Sequence, residues 1–224
     1  MLNAQYMTPT RFFGPGRPPR RLRTPRQTSS RAFTMLELLI VVVVMALLVS
    51  ILAPSLSQAT ALANQTKCVS NLRGIGLATR LYVNEHRQYP PAWKGSECRW
   101  MDLLKPFMSK KSGIYRCPSD REQIAVTWDP EIVLSYGINT FRFADRQHCF
   151  WYGVRASNVY RPDETIIFAD CTPGKYYCGG GSEFFEPVVD VDYRHLHGGF
   201  CAVFCDGHVE TLTSTGQEYW DASR

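Results

Sequence analysis

The sequence predicts an α+β protein: one long N-terminal helix, its first half in a membrane, packs its second half on a small antiparallel sheet. Three observations carry that prediction. Residues 33–53 read FTMLELLIVVVVMALLVSILA, with Glu37 the one charge, and no further charge occurs before Lys67. About 20 apolar residues suffice to span a bilayer as a helix. Beyond Pro54, near-helical spacing continues through Leu62, Val69, Leu72, Ile75, Leu77 and Tyr82, with polar residues between them. Past residue 88 the pattern changes to short strand-like runs separated by turn residues.

The 224 residues and 45% hydrophobic content suit one modest core and exclude two large ones. The net charge of +5 is unevenly placed. Residues 1–32 carry seven Arg and no acid, which leaves 18 basic and 20 acidic residues for the rest. A basic arm can bind nucleic acid. Here it ends at an apolar run, so its placement is that of a membrane-topology signal and no nucleic-acid partner is expected. A secretory signal peptide is the competing reading, but its apolar core runs about 7–15 residues and ends at a cleavage site. This run is longer, and its neat boundary precedes it. Met7 is an alternative start to Met1, because nothing before it reads as structural.

The chain therefore divides into a basic leader (1–32), a membrane and assembly helix (33–54), a helical stalk (55–87) and an α+β head (88–224). Pro54 removes a helical hydrogen bond and bends the axis, and Gly74 and Gly76 weaken the stalk locally. The helix ends before Gln88-Tyr89-Pro90-Pro91. Residues 100–108 form a short helix stopped or kinked by Pro106, and Cys117-Pro118-Ser119-Asp120 forms a turn. Residues 165–169 form a strand. Residues 200–205 and 208–212 form a hairpin, because Asp206-Gly207 is a pair that a two-residue type I′ turn prefers. There is no internal repeat.

The stretch Arg31-Ala32-Phe33-Thr34-Met35-Leu36-Glu37 resembles the signal of type IV prepilins and type II secretion pseudopilins. The resemblance implies a pilin-like fold and cleavage between Ala32 and Phe33 by the prepilin peptidase. It further implies N-methylation of Phe33, and an assembly role for Glu37 as the fifth mature residue and for Pro54. Ala32 replaces the usual Gly, and the leader is unusually long. A second stretch, Lys67-Cys68-Val69-Ser70-Asn71-Leu72-Arg73-Gly74-Ile75-Gly76-Leu77-Ala78 with Tyr82 and Tyr89-Pro90-Pro91, resembles a large group of prepilin-type proteins abundant in planctomycete-like bacteria. Cys117-Pro118, Ser135-Tyr136-Gly137-Ile138-Asn139 and Asp206-Gly207-His208-Val209 resemble the same group, in which a His stands nine residues before Asp-Gly. Here His195 leaves ten intervening residues and His197 leaves eight.

All eight cysteines follow residue 67, on the far side of the membrane if the apolar run spans it, where disulfides persist. Cys68, Cys117, Cys171 and Cys178 are the candidates for bridging. The pairing stays open, and free buried thiols remain the alternative. Cys201 and Cys205, four apart in a strand, would sit roughly 13 Å apart and cannot bridge. His195 and His197 would share one strand face; with Asp206, His208 and Asp170 they form a candidate zinc site. Asp190, Asp192, Glu183 and Glu186 after Gly179–Gly181 form a weaker calcium candidate. Without metal, Asp206-Gly207 is simply a turn and the His residues line a polar edge. Apart from these metals no cofactor is expected, and no catalytic triad or phosphate loop stands out.

The function implied is a non-enzymatic subunit of a type IV pilus-like or type II secretion-like pseudopilus. Its expected partners are the prepilin peptidase, other pilin subunits and the membrane. Its expected place is the inner membrane, as a single-pass protein with its head in the periplasm or outside, including within a filament. The alternative is a membrane-anchored envelope protein whose head binds a metal or ligand.

Overall fold

The computed structural model describes residues 33–95, 98–108, 113–141, 146–179 and 190–224. The leader, with Ala32 of the expected cut, lies outside these residues, as do Glu183 and Glu186 of the calcium candidate. The chain forms two units, Met1–Leu47 and Leu48–Arg224.

In the described part of the first unit, Phe33 and Thr34 precede helix α1 (Met35–His86), which continues into the second unit. Its large apolar side chains are exposed throughout, from Met35 at 87% onward. A stretch of Leu, Ile and Val with no packed face belongs in lipid, and α1 is long and apolar enough to cross a membrane. Pro54 lies inside α1 without ending it.

In the second unit α1 becomes a packed helix. Cys68, Asn71, Leu72, Ile75, Gly76, Ala78, Thr79 and Tyr82 are buried, one stripe at three- and four-residue steps. Of the predicted apolar positions, Leu72, Ile75 and Tyr82 are in the core and Val69 is half-buried against it, while Leu62 and Leu77 are exposed. Leu77 falls one residue off the stripe. Small residues sharpen the contact: a Cβ on Gly76 would lie 2.8 Å from Val203 Cγ2, and one on Gly74 the same distance from Ile114 Cδ1. The glycines that weaken the helix thus let it approach the head.

The main sheet has the order β7-β5-β6-β8-β9, formed by β5 (Tyr136–Asn139), β6 (Ile166–Asp170), β7 (Tyr177–Cys178), β8 (Phe200–Phe204) and β9 (Val209–Leu212). Its pairs are antiparallel except for edge strand β7, which runs parallel to β5. Two short hairpins flank it: β1 (Trp93–Lys94) with β2 (Cys98–Arg99), and β3 (Ala125–Val126) with β4 (Asp129–Val133). Helix α2 (Trp100–Leu104) passes into a 3-10 turn, Lys105–Phe107, at Pro106.

Strand β8 is buried along its whole length, so both of its faces meet a core. Cys201 and Val203 join the cluster that includes α1. Phe200, Ala202 and Phe204 join a second cluster with Trp220. This is the two-residue alternation of a strand. In β6 a register shift between Ile166 and Phe168 breaks the alternation, and Ile167 and Phe168 both enter the first cluster, as a bulge allows. The β8–β9 hairpin forms as predicted but with another turn. Gly207 N–H bonds Phe204 C=O at 2.9 Å, and Gly207 has φ 98° while Asp206 does not adopt positive φ. A type I′ turn needs positive φ at both central residues; a longer loop closed by one left-handed Gly does not.

Asn139 ties the C-terminus to the sheet. Its buried amide donates to Ile166 C=O (2.8 Å) and Trp220 C=O (2.9 Å), and its oxygen accepts Phe141 N–H (2.9 Å).

Two outcomes check this packing. Helix propensity alone has Gly76→Ala stabilise α1 by about 1 kcal/mol; the contact with Val203 reverses the sign, and urea titration of the detergent-purified protein should show a net loss of about 1–3 kcal/mol. Asn139→Ala strands two buried carbonyls and one N–H, and in the same titration should cost about 1–3 kcal/mol or more.

Candidate functional site

Two places gather polar chemistry. The first is the entrance of α1. Thr34 precedes the helix and Glu37 lies in its first turn. Glu37 N–H donates to Thr34 Oγ1 at 3.2 Å, while Thr34 N–H and Thr34 Oγ1 each donate to Glu37 Oε2 at 2.9 Å. This is a capping box, in which a Thr and a Glu three residues on satisfy one another's open donors. The sequence spells it as Thr-x-x-Glu, a signal readable without the structure, yet the reading of Glu37 from the sequence rests on its charge and its place in the prepilin-like motif, not on capping. The box also holds the carboxylate toward the N-terminal end of the helix, where the helix dipole favours negative charge.

The second place is the buried face of the second half of α1. Cys68 Sγ lies 3.4 Å and 3.6 Å from the two carboxylate oxygens of Asp170, at the end of β6. Asp170 Oδ2 accepts Cys201 N–H from β8 at 2.7 Å and stands 3.0 Å from His195 Nε2. The same Nε2 is 3.6 Å from Cys117 Sγ. One donor atom each from Cys68, Asp170, His195 and Cys201 fall within 4.8 Å of one another, and all four residues are buried. Two thiols, an imidazole nitrogen and a carboxylate thus face one point, and a third thiol, that of Cys117, adjoins the imidazole nitrogen. His195 Nδ1, also buried, has no hydrogen-bond partner among the described residues.

Each donor is aimed by local structure. Cys117 opens the predicted Cys-Pro-Ser-Asp turn, closed by Asp120 N–H to Cys117 C=O at 3.1 Å. The buried Asp120 carboxylate accepts Glu122 and Gln123 N–H (3.1 Å each) and the Ser135 hydroxyl (2.6 Å), and pairs with Arg194 at 3.3 Å. Arg194 in turn pairs with Asp192 at 2.8 Å. Arg194 therefore couples the turn carrying Cys117 to the segment carrying His195. His195 N–H bonds Gly199 C=O at 2.9 Å, closing a tight loop over Leu196–Gly198.

The electrostatics follow from proximity. Burial alone would lower the His195 pKa, but hydrogen bonds to Asp170, Cys117 and Cys201 outweigh it and push it up to about 12. Hydrogen bonding from Cys68, then from His195, draws Cys117 and Cys201 down to about 6 against their burial. Burial, aided by the neighbouring sulfurs and Asp170, pushes the Cys68 thiol up. Cys117 and Cys201 are thus drawn toward thiolate, Cys68 is held as the thiol, and His195 is drawn toward its protonated form beside Asp170. The donor atoms of the cluster lie close enough together to hold a metal ion, which would displace the protons they carry.

The structure brings only part of the predicted zinc set together. Of His195, His197, Asp206 and His208, His195 alone enters the cluster, and Asp170 joins it as expected. His197 does not share a strand face with His195: the chain turns at Leu196–Gly198, His197 has φ 59° and is exposed. Asp206 and His208 form their own pair at the exposed hairpin tip, with Asp206 Oδ1 2.7 Å from His208 Nδ1. Cys68 and Cys201 stand in the cluster instead, with Cys117 beside it; weighed from the sequence as bridges or free buried thiols, the cysteines gave no signal as metal donors. All eight are unbridged. Cys68 lies beside Cys117 and Cys201, and the Cys171 and Cys178 sulfurs both flank Gly137, 2.8 Å from where its Cβ would be. In the calcium candidate, Asp190 pairs with Lys175 and Asp192 with Arg194.

The profile of the prokaryotic N-terminal methylation motif matches residues 27–53. The type II secretion system core protein G of Klebsiella michiganensis is 33% identical over 90 residues, which cover 40% of this chain and 61% of that protein. The chain thus spans about three fifths of the length of the curated relative it matches. No solved structure matches. With the methylation motif placed on an exposed apolar helix and a small sheet packed on that helix's continuation, the chain is similar to pilins and pseudopilins.

Proposed function

We propose that this chain is a structural subunit of a type II secretion-like pseudopilus or type IV pilus-like filament. It is made as a precursor, cut between Ala32 and Phe33 by the prepilin peptidase, and N-methylated at Phe33. It is anchored in the inner membrane by the first part of α1, with its head in the periplasm or outside, and assembles with other pilin subunits by lateral packing of that helix. The observation that carries this reading is the lone carboxylate of Glu37, held by Thr34 at the mouth of an otherwise uncharged apolar helix inside a methylation motif. The name of the Klebsiella relative, a core protein of the type II secretion system, supports the same assignment.

The physical argument concerns one charge in lipid. A carboxylate at the centre of a membrane helix costs about 2.5–3.5 kcal/mol on insertion scales. The hydrogen bonds from Thr34 offset part of that cost. Cutting before Phe33 creates an amine within one turn of Glu37. In a bundle of such helices the amine of one subunit neutralises the Glu37 of its neighbour, which fixes their axial register. Nothing in this role requires the head to be catalytic.

N-terminal sequencing of the protein isolated from its cells should begin at N-methylated Phe33; retention of the arginine-rich leader, or a cut after the apolar run, would overturn the reading. Glu37→Ala should be processed normally, while its incorporation into purified filaments falls by about tenfold or more, the factor corresponding to about 1.4 kcal/mol. Undiminished incorporation would remove the register role from Glu37.

A further inference from the structure

We propose that Cys68, Cys117, His195 and Cys201 hold a zinc ion that pins the second half of α1 to the sheet. The four come from four separate places: the helix, the Cys-Pro-Ser-Asp turn, the loop before β8, and β8 itself. With zinc–sulfur bonds of about 2.3 Å and zinc–nitrogen bonds of about 2.0–2.1 Å, a tetrahedral ion places sulfur and nitrogen ligands about 3.6 Å apart. Cys117 Sγ and His195 Nε2 stand 3.6 Å apart. Cys68, His195 and Cys201 keep their donor atoms within 4.8 Å of one another. Three thiolates and one imidazole form a common closed structural zinc set.

A disulfide explains the cluster less well. It would consume two sulfurs and leave a third thiol buried beside the His195–Asp170 pair, with the third sulfur given no role. A divalent cation engages the three sulfurs and the imidazole at once: each coordinating thiol releases its proton to solvent and binds as thiolate, His195 gives up its Nε2 proton likewise, and no oxidation state changes. Asp170 is the fifth donor at this point, and its Oδ2 is already engaged by Cys201 N–H at 2.7 Å. Thiolate is the softer ligand, and zinc prefers it to carboxylate in a site that offers both. Asp170 is thereby a positioning residue that orients the Cys201 segment through its backbone N–H. Because the site is closed, zinc enters as the head folds, and its binding energy contributes to folding.

Elemental analysis of the full-length, detergent-purified protein from zinc-supplemented cells tests this. One zinc per chain is expected. Exchange with cobalt(II) should give thiolate-to-cobalt charge-transfer bands together with the visible bands of a four-coordinate ion. Cys68→Ser, Cys117→Ser and Cys201→Ser should each lower bound zinc by about tenfold or more, and His208→Ala should leave it unchanged. Asp170→Asn should retain zinc with the cobalt charge-transfer bands intact. If the Cys variants fail to fold, the cobalt spectrum of the unaltered protein decides. Trace zinc with Cys68 found in a disulfide overturns the proposal. So do cobalt bands lacking thiolate charge transfer, and so does zinc retained by Cys117→Ser but lost from Asp170→Asn.

Discussion

The head depends on how closely α1 approaches β8. Gly76 presents no side chain where a Cβ would collide with Val203, and that closeness sets what can lie between helix and sheet. Two helical turns before Gly76, Cys68 faces Asp170 and the cysteine of β8 across the same gap. A bulkier residue at 76 would lift the helix and open the cluster as well as the core. The glycine that weakens α1 as an isolated helix is thus the one that lets it dock, and its effect on stability has the opposite sign to its intrinsic propensity.

One helix meets two solvents. Up to Leu56 its large side chains are apolar and exposed, as lipid contact requires; from Cys68 it carries a single buried stripe bounded by polar residues. The change is one of pattern and not of secondary structure, because a membrane rewards apolarity on every face while a sheet rewards it on one. Glu37 and Thr34 close the lipid end by satisfying each other. A capping box at that point lets one carboxylate satisfy the open donors of the helix terminus.

In the head, polar groups are organised around burial. Asp120, Ser135 and Arg194 form a network that fixes the Cys-Pro-Ser-Asp turn against the His195 segment. Its members are nearly all shielded from water, so each must find a partner or destabilise the fold. Asn139 does the same for the C-terminal Trp220 on the other face of the sheet. Both faces of β8 are consequently committed, one to α1 and one to the C-terminal cluster, which is why Phe200–Phe204 reads as an unbroken apolar run without polar alternation.

Local patterns were legible in the sequence because they depend on neighbours along the chain. Apolar length marks the membrane segment, three- and four-residue spacing marks the stalk, Asp206-Gly207 marks a hairpin, and Thr-x-x-Glu marks a cap. The turn at 206–207 was legible as a turn but not by type, since backbone geometry there answers to the register of β8 and β9. The thiol cluster was not legible: Cys68 and Asp170 are 102 residues apart, Cys117 and His195 78 apart. No periodicity connects such positions. His195 and His197 looked equivalent by spacing, and one left-handed residue sent them to opposite environments. The amino-acid sequence by itself determined which segments could be helix, strand and membrane anchor, because those choices follow from local chemistry. Only the tertiary structure decided which thiols, imidazole and carboxylate share a point, because that depends on where the sheet and helix bring distant backbone together.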